Sequence, residues 1–135
     1  MKYIVKSLSE TEELAKKFAD SLSMGNVVLL SGDLGAGKTT FTQFVFKHLG
    51  VKEVVNSPTF AILKTYQGKY TLHHFDTYRI TTEEAIEAGF DEVLEDRNSV
   101  IFIEWAEMIE PLIPKNTIKI NIRLLDENTR EFEII

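Results

Sequence analysis

At 135 residues, with 44% hydrophobic and 27% charged side chains, the chain has the size and composition of a single domain over residues 1–135 with room for a proper core. It contains no cysteine, which excludes disulfides, thiolate nucleophiles and cysteine-held metals, and fits a reducing compartment, with the cytoplasm as the expected location. Its net charge is −6, with 15 Lys and Arg scattered among 21 acids, so it is not expected to grip RNA or DNA unaided, because that affinity comes largely from neutralising phosphates.

The opening residues Met1-Lys2-Tyr3-Ile4-Val5 show no apolar leader, and the longest uncharged apolar run is far short of a membrane span. Residues 2–7 alternate as a short strand. Ser9-Glu10-Thr11-Glu12 reads as a capping box, followed by Leu14, Phe18 and Leu22 at helical spacing, with an end near Gly25. Residues 26–30 form an apolar strand. Residues 40–49 form a helix stopped by Gly50. Ser57-Pro58-Thr59-Phe60 leads into a hairpin with arms 61–66 and 70–75, joined at Gln67-Gly68-Lys69. Helical stretches at 83–88 and 91–95 precede the strongly apolar strand 100–103. A short helix after Trp105 stops before Pro114, and strands at 117–124 and 130–135 close an alternating hairpin around Asp126-Glu127-Asn128. The sum is an α/β domain with a mixed, partly parallel sheet flanked by helices.

Between the strand at 26–30 and the helix at 40–49 stands Gly32-Asp33-Leu34-Gly35-Ala36-Gly37-Lys38-Thr39, which fits G-x-x-x-x-G-K-[ST] without a gap. Strand, glycine turn and helix are the context this pattern requires. Glycines let consecutive backbone N–H groups turn inward around phosphate oxygens, and the helix adds the positive end of its dipole. Lys38 then reaches the β- and γ-phosphates, the Thr39 hydroxyl is placed for Mg²⁺, and Thr40 continues the cradle. The implied ligand is a nucleoside polyphosphate, and the expected fold is P-loop NTPase-like.

Hydrolysis or transfer also needs acids at neighbouring strand ends, because ligands of open α/β sheets sit at the carboxyl ends of the strands. Val100-Ile101-Phe102-Ile103 delivers Glu104 there, and the strand ending at Phe75 delivers Asp76. One carboxylate is expected to hold Mg²⁺ opposite Thr39 while the other orients the attacking water. His74 stands either near this site or merely at a strand end. His73 is expected on the opposite face, and His48 at a helix C-terminus. Trp105 follows Glu104 directly and is expected near the nucleotide or a partner surface. The acidic stretches Glu83-Glu84…Glu87 and Asp91-Glu92…Glu95-Asp96 read as a solvated helix face or as a partner-docking surface.

Gly32 to Phe41, Ser57-Pro58-Thr59-Phe60, His74-Phe75-Asp76-Thr77-Tyr78-Arg79 and Glu104-Trp105-Ala106-Glu107 together resemble the TsaE family, also called YjeE, in order and spacing over essentially the whole chain. The resemblance implies ATP and Mg²⁺ as ligands and slow ATP hydrolysis stimulated by partners. It implies a place in threonylcarbamoyladenosine (t6A) formation on tRNA, with TsaD, which performs the transfer, and TsaB as protein partners and tRNA met only through them. The Ser-Pro-Thr segment corresponds to a switch region, which would put Thr59 near the γ-phosphate and the cation. Asp76 and Glu104 match the family's acids, and docking would fix Thr59 and Arg79 about the γ-phosphate. Thr77 departs from a common leucine and Ala106 from a frequent proline. A small-molecule kinase would need a lid and acceptor pocket for which this length leaves little room. A GTPase would need Asn-Lys-x-Asp, and Lys17-Phe18-Ala19-Asp20 lies within the first helix behind Lys16. A nucleotide sensor that does not hydrolyse remains the third reading.

Overall fold

The computed structural model describes residues 1–33, 35–55 and 62–135. Leu34, Thr59 and the rest of the Ser57-Pro58-Thr59-Phe60 segment lie outside the described residues, as does Ala61, the first residue of the expected hairpin.

Alternation at the start forms strand β1 (Lys2–Val5), followed by helix α1 (Leu8–Ser21). The helix has its cap two residues before the expected one. Ser7 caps it, accepting from the Glu10 backbone N–H at 3.1 Å, and Glu10 reaches back to the Lys6 N–H. Two S-x-x-E frames overlap here, Ser7 to Glu10 and Ser9 to Glu12. Glu12 is instead engaged by Lys47 and His48 at 3.0 and 3.3 Å, which leaves Glu10 to the cap.

Strand β2 (Val27–Ser31) feeds the glycine loop, and helix α2 (Lys38–His48) leaves it. Past His48 the chain turns back through hydrogen bonds from Val51 N to Phe46 O and from Gly50 N to Lys47 O, so Gly50 stops the helix as its position predicts. The hairpin is β3 (Leu63–Gln67) and β4 (Thr71–Asp76). Thr81 and Glu84 form a reciprocal capping box on α3 (Thr82–Glu87), and α4 (Phe90–Leu94) follows. Strand β5 (Ser99–Glu104), a 3-10 helix (Ala106–Leu112), β6 (Ile118–Leu124) and β7 (Arg130–Ile134) complete the chain.

The described strands form one seven-stranded sheet in the order β1-β7-β6-β2-β5-β4-β3. Its centre is parallel, with β2 between β5 and β6, and β4 beside β5. Its margins are antiparallel: β3 against β4 on one side, β7 against β6 and β1 on the other. Every residue of β5 is buried, as expected of a parallel central strand covered on both faces. One face carries α1 and α2 on a core that includes Phe18, Phe41, Phe46, Phe102 and Phe132. The other carries α3, α4 and the 3-10 helix over Ile101, Ile103, Phe75 and Ile109. The sheet is mixed and partly parallel, with helices on both faces.

Candidate functional site

The glycine loop holds two positions whose backbone disfavours any side chain. Gly32 has φ 150°, and a Cβ there would sit 2.6 Å from the carbonyl oxygen of Ile122 on β6. Gly37 has φ 107° at the cap of α2, and a Cβ would press on the Arg130 side chain at 3.3 Å. Both conformations are strained for any L side chain. The amide of Ala36 closes onto the Asp33 carbonyl at 3.0 Å, and Ala36 itself is buried in the core. Gly32 and Ala36 thus build the loop, Asp33 is exposed beside it, and Gly35, Gly37, Lys38, Thr39 and Thr40 line a cleft of about 750 Å³.

Lys38 is buried. Its Nζ donates to the Gly32 carbonyl at 2.7 Å and lies 4.2 Å from the centroid of the Trp105 ring. The indole face attracts the ammonium and holds it over the loop. Trp105 adopts φ 63°, a left-handed conformation that costs a bulky residue about 1–3 kcal/mol. Thr77 helps to hold it there. Buried at the end of β4, its hydroxyl lies 2.6 Å from the Trp105 carbonyl and 3.1 Å from that of Glu104. Thr77 therefore clips the ends of β4 and β5 together. The ring of Tyr78 packs 4.7 Å from that of Trp105.

Parallel pairing aligns Asp76 with Glu104 at the carboxyl ends of β4 and β5, and Glu104 with Leu30 of β2. His74 and Phe102, two residues earlier on each strand, pack on the α2 face against Phe46, so both acids point to the side on which the loop rests. Glu104 is buried and its Oε2 meets His74 Nε2 at 2.8 Å. Asp76 is half-buried and its Oδ1 accepts from the Tyr78 amide at 3.2 Å. His73 faces the other way, as expected, within reach of Asp96 at 3.3 Å and Thr65 at 2.9 Å.

The structure thus brings Lys38, Thr39, Thr40, Asp76, Glu104, Trp105 and Arg79 to one cleft. Arg79 is exposed on the turn after β4, beside the Tyr78 ring. Sequence reasoning missed Arg130, which lines the same cleft from the start of β7 and donates from Nε to the Ala36 carbonyl at 2.9 Å. A lone arginine opening a terminal strand carries no signal that it meets a loop 94 residues away. Ile62 and Ile80 form apolar wall that no motif marks.

The donor set suits a hard cation, with the Thr39 hydroxyl and the Asp76 and Glu104 carboxylates among the oxygen donors in the cleft. Among the described residues no three His, Cys, Asp or Glu side chains cluster as a self-sufficient metal site. A cation here would take its remaining ligands from phosphate oxygens and water.

A sequence model described as "Threonylcarbamoyl adenosine biosynthesis protein TsaE" matches residues 5–132. The chain belongs to the TsaE family. A TsaE from Rickettsia felis, named as a tRNA threonylcarbamoyladenosine biosynthesis protein, is 44% identical over 135 residues, covering 98% of this chain and 78% of that protein. The protein of the same name from Bacillus subtilis is 42% identical over 123 residues, 90% of this chain and 77% of its own length. The crystal structure of Bacillus subtilis YdiB superposes with a TM-score of 0.83 at 35% identity, covering 98% of this chain and 82% of that one. The TsaE likeness thus spans both layers of the sheet and every described wall of the cleft. Among the described residues no helix is long and apolar enough to cross a membrane.

Proposed function

We propose that this TsaE-family chain binds and hydrolyses ATP with Mg²⁺, and that its turnover serves t6A formation on tRNA through a protein complex of TsaB and TsaD. The observation that carries the reading is the convergence of the glycine loop, Lys38, Thr39, Asp76 and Glu104 on one cleft. The pathway follows from the names of the relatives, which are t6A biosynthesis proteins.

The loop amides and Lys38 hold the β- and γ-phosphates, with charge-assisted contacts roughly twice as strong as neutral ones. Thr39 and one of the two acids hold Mg²⁺, which neutralises charge on the transferred phosphoryl group when bound. The other acid orients the attacking water in line with the leaving oxygen, and the buried floor beside Ile80 keeps the cleft's dielectric low. Lys38 must trade its contact with the Gly32 carbonyl for phosphate oxygens, a stronger partner than a neutral carbonyl. Arg79 stands exposed near Asp76 and is not held by any described carboxylate, so a docked partner can fix it on the γ-phosphate. Thr59 would complete the site from the switch-like segment. The acidic surface of α3 and α4 suits docking on protein, with tRNA contact left to the partners.

Steady-state phosphate release, with and without purified TsaB and TsaD, tests this proposal. Slow turnover alone and a clear rise with both partners are expected. Fast turnover that partners do not change would revive a free-standing enzyme, and phosphate appearing on an added small acceptor would turn the reading to a kinase.

A further inference from the structure

Arg130 sits where a nucleotide would need a second fixed cation. Its Nε donates to the Ala36 carbonyl at 2.9 Å, and its side chain occupies the space beside Gly37 that a Cβ would otherwise fill. The residue is half-buried, lines the same cleft as Lys38, and has no carboxylate within ion-pairing distance among the described residues. A half-buried guanidinium without a counter-ion leaves its charge available to an arriving anion. The adjacent acid does not serve: Glu131 turns to Arg123 on the other face of the sheet.

Charge in the cleft leads to the same place. Asp76 and Glu104 bring negative charge to a site that must accept a polyphosphate. Lys38 and Arg79 oppose it, yet Arg79 is exposed and has a long side chain to order. Arg130 is already oriented, because the loop carbonyl takes one N–H and leaves the terminal nitrogens free for an anion. Its position is set by a long route through the fold. Antiparallel pairing places Arg130 opposite Val5 of β1 and Leu124 of β6, so the β1-β7-β6 margin delivers it to the loop.

We propose that Arg130 is a nucleotide-binding residue: Nε braces the loop at Ala36 while the terminal nitrogens take oxygens of the nucleotide's polyphosphate. The inference rests on the nucleotide reading of the cleft and adds to it a ligand supplied from the last strand.

The test is equilibrium binding of ATP and of ADP to the full chain by calorimetry, for wild type, Arg130→Gln, Arg130→Lys and Lys38→Ala, each with a melting curve of the nucleotide-free protein. Loss of a charge-assisted contact predicts about ten- to a hundredfold weaker binding for Arg130→Gln, with its melting temperature near wild type. Arg130→Lys should recover part of that loss by restoring the charge. Wild-type affinity should fall more steeply with added salt than that of Arg130→Gln, because one ionic contact is missing in the variant. Wild-type affinity in Arg130→Gln, beside loss of binding in Lys38→Ala, would overturn the role of Arg130 and leave the nucleotide site standing. Equal weakening in the Gln and Lys variants with an unchanged salt dependence would reduce Arg130 to a brace. Failure of the wild-type chain to bind either nucleotide would overturn the site and this inference together.

Discussion

His74 Nε2 lies 2.8 Å from Glu104 Oε2, and both side chains are buried. A carboxylate only accepts, so Nε2 is the donor, while the buried Nδ1 has no hydrogen-bond partner among the described residues. The imidazole therefore occupies one oxygen of Glu104 and aims the other at the cleft. Phe46 packs edge-on to the ring at 6.0 Å and limits its rotation. His74→Phe should leave a buried carboxylate oxygen unmatched, costing about 1–3 kcal/mol of stability and lowering turnover more than ATP affinity. His74→Gln should recover part of both, and unchanged turnover in His74→Phe would remove the positioning role.

Glu104→Gln and Asp76→Asn should reduce kcat by more than they weaken nucleotide binding. Each keeps the shape of its side chain and removes a charge that acts mainly as charge shifts in the transition state. Single-turnover hydrolysis set beside equilibrium ATP binding separates the two effects, and a wild-type rate in either variant would take that acid out of the mechanism.

Lys38→Ala should weaken ATP about ten- to a hundredfold, the value of one charge-assisted contact of ~1.5–3 kcal/mol. The same change frees Trp105 from its cation, so the intrinsic fluorescence of the chain's one tryptophan should shift even without nucleotide. A spectrum identical to wild type would contradict the contact.

Thr77→Val should lower stability by about 1–2 kcal/mol, because it leaves the Glu104 and Trp105 carbonyls without the buried hydroxyl that joins them. Thermal melting reads this directly. Nucleotide affinity should fall as well, since Trp105 is held in its left-handed conformation partly through that bond. A variant as stable as wild type would show that the clip contributes nothing net.

Three carboxyls are held below their ordinary range: Glu12 chiefly by its hydrogen bond from Lys47, Asp96 by the backbone N–H of Asn98, and Asp126 by that of Asn128. With the folded pKa below the unfolded one, the unfolded chain binds more protons between the two values, and stability rises with pH there. Their contribution is present above about pH 4.5 and is lost as acid titrates the folded groups. Asp126 is exposed and Glu12 and Asp96 are only half-buried, so solvent screens all three, and the effect is small and weakens with salt. Melting curves between about pH 3 and pH 7 should show a decline confined to the acid side. A decline that begins near neutrality would point to other groups.

Local order was legible in the residues themselves. The glycine loop, its flanking strand and helix, the stop at Gly50, and the two acids at strand ends all follow from interactions within a few positions of the chain. Even the misplaced start of α1 shows the limit of that logic. Two caps were locally equivalent, and the choice fell to Lys47 and His48 of α2, far along the chain, which engage Glu12. Tertiary structure alone decided the strand order, and with it the alignment of Asp76 with Glu104. It also decided the pairing of His74 with Glu104 across 30 residues, the Thr77 clip across 28, and the approach of Arg130 to Ala36 across 94. Each of those contacts depends on which strands lie side by side. Strand neighbours are selected by burial over the whole sheet, where β5 must be covered on both faces, and not by any pattern within a single segment.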